Sequence, residues 1–338
     1  MADSTPTQPL TAVLPAVADP DTPRIIVAPV TAADRVFRGL LRGGGIAVFV
    51  ITGLIALFLV TRSWSSFRLA GWHFLTTFEW LPGTRHFGIG SILVNGIIIA
   101  VIALLIAVPI ALVTALFIAE YAPVPLRRAL IALVDLMAAI PSIVYALWGV
   151  FFLQSRIIGL GRWISDHLGA VRVPLKVDND VQSSFTSSPF LAGLVVSLMV
   201  IPIVTSISRE VFSQTPQGER EAAYALGSSR WGMIRTVVLP YGRGGMIGAI
   251  MLGFGRAMGE TIAVSLIISP VLYINTHVLQ HGGYSIASLI ALRYQDSTPQ
   301  VISALMAAGL VLFVVTLAVN AAAGVIVTRS RSGLQTAD

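Results

Sequence analysis

The chain reads Glu219-Arg220-Glu221-Ala222-Ala223-Tyr224-Ala225-Leu226-Gly227 across a polar loop. It then reads Gly255-Arg256-Ala257-Met258-Gly259-Glu260-Thr261 inside the apolar run that follows. Between them lie Ser228, Ser229, Arg230 and Trp231, then Leu239-Pro240. The first piece is too polar to enter lipid and too short to be a domain. The second sets an arginine and a glutamate in a segment otherwise fit to cross a membrane. One suits contact with another protein, the other contact with an ion. A membrane bundle with a protruding loop accommodates both.

Working outward, composition agrees. Hydrophobic residues make up 55% of the chain and charged residues 11%, with a mean hydropathy of +0.84. A soluble domain carries about 25% charge. The expected fold class is an all-α integral membrane protein, because a helix satisfies its own backbone polar groups where no water can. Six apolar runs approach spanning length, at about residues 44–60, 91–118, 129–153, 190–208, 242–268 and 301–327. The second exceeds what a bilayer needs, so it tilts or projects. Pro109, Pro141 and Pro202 fall inside the second, third and fourth runs. Each removes an amide donor and is expected to kink its helix. This six-helix domain, residues 35–328, lies between a disordered tail, residues 1–34, with six prolines, and a short C-terminal tail, residues 329–338.

The net charge of +6 does not point to nucleic acid, because the basic residues sit between apolar runs. Thirteen of them fall on the side that holds the N-terminal tail and eight on the other. The excess places both termini and the 209–241 loop in the cytoplasm. Trp64, Trp72, Trp80, Trp148 and Trp163 gather on the outer side, where interfacial anchors belong. The tail lacks the basic start of a signal peptide. The outer segment 154–189 is long for a connection. Residues 162–167 suit an interfacial helix, and residues 171–188 suit either a solvated loop or a docking surface for an external partner.

Several chemistries are excluded. The chain has no cysteine, hence no disulfide, thiolate nucleophile or cysteine metal site. Lys176, the only lysine, lies between Leu175 and Val177, so no Walker A loop exists and any ATP hydrolysis belongs to a partner. His73, His86, His167, His277 and His281 all fall on the outer side without metal-ligand spacing to carboxylates. No cofactor, metal or enzymatic activity is expected. A secondary transporter would show inverted repeats or paired broken helices, and no internal repeat is visible.

In the polar loop, Thr215 followed by Pro216 forms a helix start. Residues 217–226 would form a short helix ended by Gly227. Ser228 or Ser229 would cap a second helix through about Arg235. Such an elbow fits a groove in a partner protein or lies on the lipid surface. In the fifth run, Gly244 with Gly248 and Gly255 with Gly259 are small-xxx-small pairs, suited to packing within the bundle or to a dimer seam. Arg256 and Glu260, four apart, share one helical face. Each costs roughly 3 kcal/mol at a span centre, and a buried pair seldom adds stability over apolar packing. A structural pair is the plain alternative. A polar path is favoured, and arginine suits an oxyanion because its planar fork binds two oxygens and stays charged. Asp135, near Pro141-Ser142, is read as a helix-end contact.

The loop resembles the EAA loop of bacterial ABC importer permeases through Glu221, Ala222, Ala223, Gly227, Val237, Leu239 and Pro240. Gly255 to Thr261 is similar to the signature of the phosphate permeases within that group. So are residues 139–145 with Trp148 and Gly149, and residues 74–88 with Trp80, Pro82 and Phe87-Gly88. The likeness spans roughly residues 40–328. It implies the six-helix type I permease fold in a bacterial inner membrane. It implies a channel-forming subunit that carries inorganic phosphate inward from an extracytoplasmic phosphate-binding protein. It implies a homologous second permease and two ATP-binding subunits gripping Glu221, Ala222, Ala223, Gly227, Leu239 and Pro240. Arg256 and Glu260 would line the phosphate path. Import of another oxyanion, sulfate or molybdate, is the alternative within the class.

Overall fold

The computed structural model describes residues 31–80, 87–168, 185–271, 274–275, 277–295 and 298–331. The chain divides into two units, Met1–Gly53 and Leu54–Asp338. The first contributes only the N-terminal part of α1 (Ala32–Ala70) to the described residues. That part starts at a reciprocal cap: the amide of Asp34 donates to Thr31 Oγ1 at 3.3 Å, and the amide of Thr31 donates to Asp34 Oδ2 at 3.1 Å. Residues 32–34, expected in the tail, therefore belong to the helix. Residues 1–30 lie outside the described residues. α1 has 39 residues, about twice the 20 that a bilayer needs. Its apolar stretch free of charge lies between Arg42 and Arg62.

The second unit holds the remaining elements. After the short α2 (His73–Thr76), α3 (Gly90–Leu116) runs into a π-helical turn, Phe117–Tyr121. Together they make the second of the six helices that, among the described residues, are long and apolar enough to cross a membrane. The third differs from the expected 129–153. A separate helix, α4 (Val124–Ala139), ends at Ile140, whose backbone is extended at φ −67° and ψ 127°. A proline drives the preceding residue out of the helical region, so Pro141 ends one helix and starts the next instead of kinking a single one. α5 (Ser142–Trp148), the π-helical turn Gly149–Leu153 and α6 (Gln154–Leu168) then make the third span, Ser142–His167. Residues 162–167 thus end a span and are not a separate interfacial helix. Residues 169–184, which include 171–184 of the expected loop or docking surface, lie outside the described residues.

α7 (Pro189–Ser213) accommodates Pro202 without a break. The elbow consists of α8 (Gln217–Ala225) and α9 (Arg230–Met233). Through the π-helical turn Ile234–Val238, α9 leads directly into α10 (Leu239–Gly259). Leu239 and Pro240 are therefore inside a long helix, not at the end of a loop. α10 stops at Gly259, and α11 (Ile262–Ile267) resumes after two residues. The run 242–268 is broken at its glutamate. A turn-rich segment then leads to α12 (Ile286–Arg293) and α13 (Pro299–Arg331). In that segment Asn275 donates to the carbonyls of Gln280 and Gly282, and its own amide donates to Asn95 Oδ1 of α3 at 3.1 Å.

Small residues set the packing. Ala100, Ala103, Ala107 and Ala111 of α3 are fully buried beside Leu191, Val195 and Val204 of α7. A Cβ on Gly193 of α7 would lie 2.6 Å from Cγ2 of Ile102, and one on Gly253 of α10 would lie 2.8 Å from Cγ1 of Val200. Among the described residues, a Cβ on Gly248, Gly255 or Gly259 would meet nothing within 4 Å. Half of each expected small-xxx-small pair, or all of it, therefore faces open space within this chain. Trp80, expected at the interface, is instead buried, edge-on to Phe87. Trp64, Trp72, Trp148 and Trp163 are exposed.

The Gly193 contact generates a prediction. Gly193→Val forces the α3–α7 pair apart and should cost about 1–3 kcal/mol, read as a lower midpoint of thermal unfolding in detergent. Gly255→Ala, in open space, should leave that midpoint unchanged. Equal midpoints for both variants would show that α3 and α7 do not pack this closely.

Candidate functional site: a charged cleft and a polar elbow

Arg256 lies in the last turn of α10, and Glu260 is the first residue past its end. The break that separates α10 from α11 is satisfied locally. Glu260 takes extended backbone angles, φ −67° and ψ 122°. Its Oε1 accepts the amide of Ala263 in the first turn of α11 at 3.4 Å, and Thr261 Oγ1 donates to the carbonyl of Gly259 at 3.1 Å. The other oxygen, Oε2, is 3.9 Å from Nη2 of Arg256. That is an ion pair at the limit of contact, not a bidentate one.

The two partners differ in exposure. The Glu260 side chain is 8% exposed and that of Arg256 is 43% exposed. The carboxylate is fixed by the helix start it holds, while the guanidinium reaches into a cleft of about 460 Å³. Gly255 and Gly259 form part of the wall and leave it open, since neither has a side chain to fill the space. Ile203 of α7 and Met251 of α10 contribute apolar surface. Asn320 of α13 adds an amide to the same cleft. Asn320 is not among the residues expected at the site. Its signal was available, because it is the one amide in the apolar run 301–327.

The arrangement suits an oxyanion. Arginine offers five donors in a fixed plane, and among the described residues its guanidinium meets only Glu260, through one nitrogen. The remaining donors and the Asn320 amide border the same space. At 3.9 Å, with the guanidinium half exposed, the pair holds the arginine only weakly and leaves its other donors to the cleft.

At the elbow, α8 begins at Gln217 as expected and ends at Ala225, one residue early, with Pro216 rather than Thr215 at the cap position. Gly227, at φ +81°, closes it in the left-handed region that glycine adopts without strain. Ser229, not Ser228, caps α9, its Oγ accepting the Gly232 amide at 3.2 Å. Ala223 is buried with Phe212, Met233, Ile234 and Val238 in a small apolar cluster. Glu221 and Ala222 are exposed, and Glu221 Oε1 accepts from Gln217. Tyr224, Leu226 and Trp231 present exposed apolar surface, Leu226 at 88%. Leu239 is half-buried and Pro240 exposed, and they are the first two residues of α10. Asp135 is exposed on α4, one turn before its end.

The helices of spanning length among the described residues define a multi-pass membrane protein. The chain belongs to the family described as "Binding-protein-dependent transport system inner membrane component", whose model matches residues 107–332. Among its relatives is a protein of Mycobacterium tuberculosis described as "Phosphate transport system permease protein PstC 2". It is 39% identical over 315 residues, covering 91% of this chain and 97% of the relative. The Mesorhizobium japonicum "Phosphate transport system permease protein PstC" is 36% identical, covering 86% and 88%. A chain of the bacterial alginate ABC transporter, solved with an alginate pentasaccharide-bound periplasmic protein, superposes with a TM-score of 0.56. It is 18% identical, covering 86% of this chain and 95% of that one, and this likeness supports the fold alone.

Proposed function

We propose that this chain is a channel-forming subunit of an ATP-driven importer of inorganic phosphate. The observation that carries the reading is the half-exposed guanidinium of Arg256 in the cleft, in a chain whose relatives are described as phosphate permeases. Phosphate at neutral pH carries between one and two negative charges, and a low-dielectric path repels it unless positive charge waits there. Arg256 supplies a permanent charge and a planar fork. Glu260 holds the helix break that aims the arginine, and it keeps the site from becoming so deep that the ion cannot leave.

The proposed assembly pairs this chain with a homologous permease, two ATP-binding subunits and an extracytoplasmic phosphate-binding protein. Both termini and the elbow lie in the cytoplasm, where the exposed Tyr224, Leu226 and Trp231 enter a groove of an ATP-binding subunit. The chain itself hydrolyses nothing. Closure of the nucleotide-bound partners would reach the spans through the elbow.

Radiolabelled phosphate uptake, in cells lacking other phosphate systems and with membrane levels checked, tests the path. Arg256→Gln should abolish uptake. Arg256→Lys keeps the charge but loses the fork, and should lower uptake about tenfold or more, the worth of one charge-assisted hydrogen bond. Glu260→Gln should change rate or selectivity without abolishing transport. Full uptake by Arg256→Gln would make the charge structural, and sulfate or molybdate competing as well as phosphate would move the substrate to another oxyanion.

Two further expectations concern the elbow and its side of the membrane. Leu226→Asp and Gly227→Val should leave the chain in the membrane but lose the ATP-binding subunit on purification, or keep its basal hydrolysis without uptake. Normal recovery and uptake in both would remove the docking role. Because the chain has no cysteine, single probes report orientation cleanly. Ser228→Cys should be shielded from an impermeant thiol reagent in intact spheroplasts, and Glu79→Cys should react. The reverse pattern would invert the topology.

A further inference from the structure

Glu120 sits in the π-helical turn that ends the second span, with its side chain 4% exposed. Nη1 of Arg220, in the middle of α8, lies 2.8 Å from its Oε1 and donates to Oε2 at 3.1 Å. Nη2 of the same arginine donates to the carbonyl of Phe212, near the end of α7, at 2.6 Å. One guanidinium thus ties the elbow helix to the ends of two spans. Arg230, the first residue of α9, donates to the backbone carbonyl of Glu120 and lies 4.6 Å from the centroid of the Tyr121 ring. Both halves of the elbow therefore hang on one five-residue turn.

Apolar contact already packs this region, through Ala115, Phe212, Ala223, Met233 and Val238. A buried ion pair is a poor way to add stability there, since apolar residues of similar volume do as well. Nor is the pair saturated: among the described residues Arg220 Nε is buried without an acceptor. What the pair adds is a directed link between one point on α8 and one point on the second span. The link lands on a π-helical turn, a place where helices depart from the regular ladder and often carry function. Beyond it, α3 packs closely on α7, and α7 on α10 through Val200 and Gly253. α10 carries Arg256.

We propose that Glu120 and Arg220 are positioning residues that convert displacement of the elbow into movement of the second span, and through α7 into movement of the Arg256 cleft. This rests on the reading of α8 as the element that meets the ATP-binding subunit. The ion pair transmits force, and the apolar cluster only seals the joint.

The test uses the whole transporter, with its partner subunits and phosphate-binding protein, reconstituted in liposomes. Phosphate moved per ATP hydrolysed is the readout. The Glu120→Gln/Arg220→Gln double variant leaves no lone buried charge, so it decides the matter even where a single variant fails to assemble. It should keep its ATP-binding subunits and hydrolyse ATP at a rate within about twofold of the native complex, while phosphate per ATP falls about tenfold, the scale of an ordinary coupling energy. The charge-exchanged pair, Glu120→Arg with Arg220→Glu, should recover part of that loss. A native ratio of phosphate to ATP in the double variant would overturn the proposal, and so would parallel loss of hydrolysis and transport, which marks a merely structural pair. Failure of the docking reading is distinct: it shows as full subunit recovery and uptake in Leu226→Asp.

Discussion

Inside a bilayer no water is at hand to accept a hydrogen bond, and this constraint governs where the chain can depart from a helix. Among the described residues, two runs that hydropathy reads as continuous are broken, at Ile140-Pro141 and at Glu260-Thr261, and each break is closed locally. Tyr145 Oη donates to the carbonyl of Met137 across the first. At the second, the Glu260 carboxylate accepts the amide of Ala263, and the Thr261 hydroxyl covers the carbonyl of Gly259. The same residue that heals the backbone at the second break faces the cleft arginine. One buried carboxylate thus serves both the start of α11 and the guanidinium beside it.

Small residues supply the second condition. With lipid no less apolar than leucine, helices associate through close contact, and the alanine row of α3 and Gly193 of α7 permit it. The glycines of α10 divide into two kinds by what lies opposite them. Gly242, Gly245 and Gly253 are pressed by Phe212, Val211 and Val200. Gly255 and Gly259 face the cleft. One helix thus uses the same residue type to close a seam along one part of its length and to open a space along another.

Much of this was legible in the sequence. Hydropathy alone marked six helices, and the spacing of Arg256 and Glu260 put them together. Gly227 and the serines outlined the elbow. What was not legible followed from physical causes that hydropathy does not register. The break at Pro141 moved the third span, because an apolar run looks continuous whether or not its backbone is. Trp80 carries an interfacial composition but a buried position, decided by Phe87. Glu120 stood at the edge of an apolar run, and its partner lies one hundred positions away, beyond any local pattern. Asn320 was one polar residue among apolar ones, a weak signal until α13 was set beside α10.

The π-helical turns at Phe117–Tyr121, Gly149–Leu153 and Ile234–Val238 have a consequence for descent. Each holds one residue more than the α-helical turn it replaces. Losing that residue would return the stretch to an ordinary helix while leaving the flanking segments in their present rotational phase. A residue added anywhere else in a span would instead turn everything beyond it by about 100°. Single-residue length differences among chains of this family are therefore expected to collect at these three turns. Position-by-position correspondence between relatives should slip by one there and recover on either side.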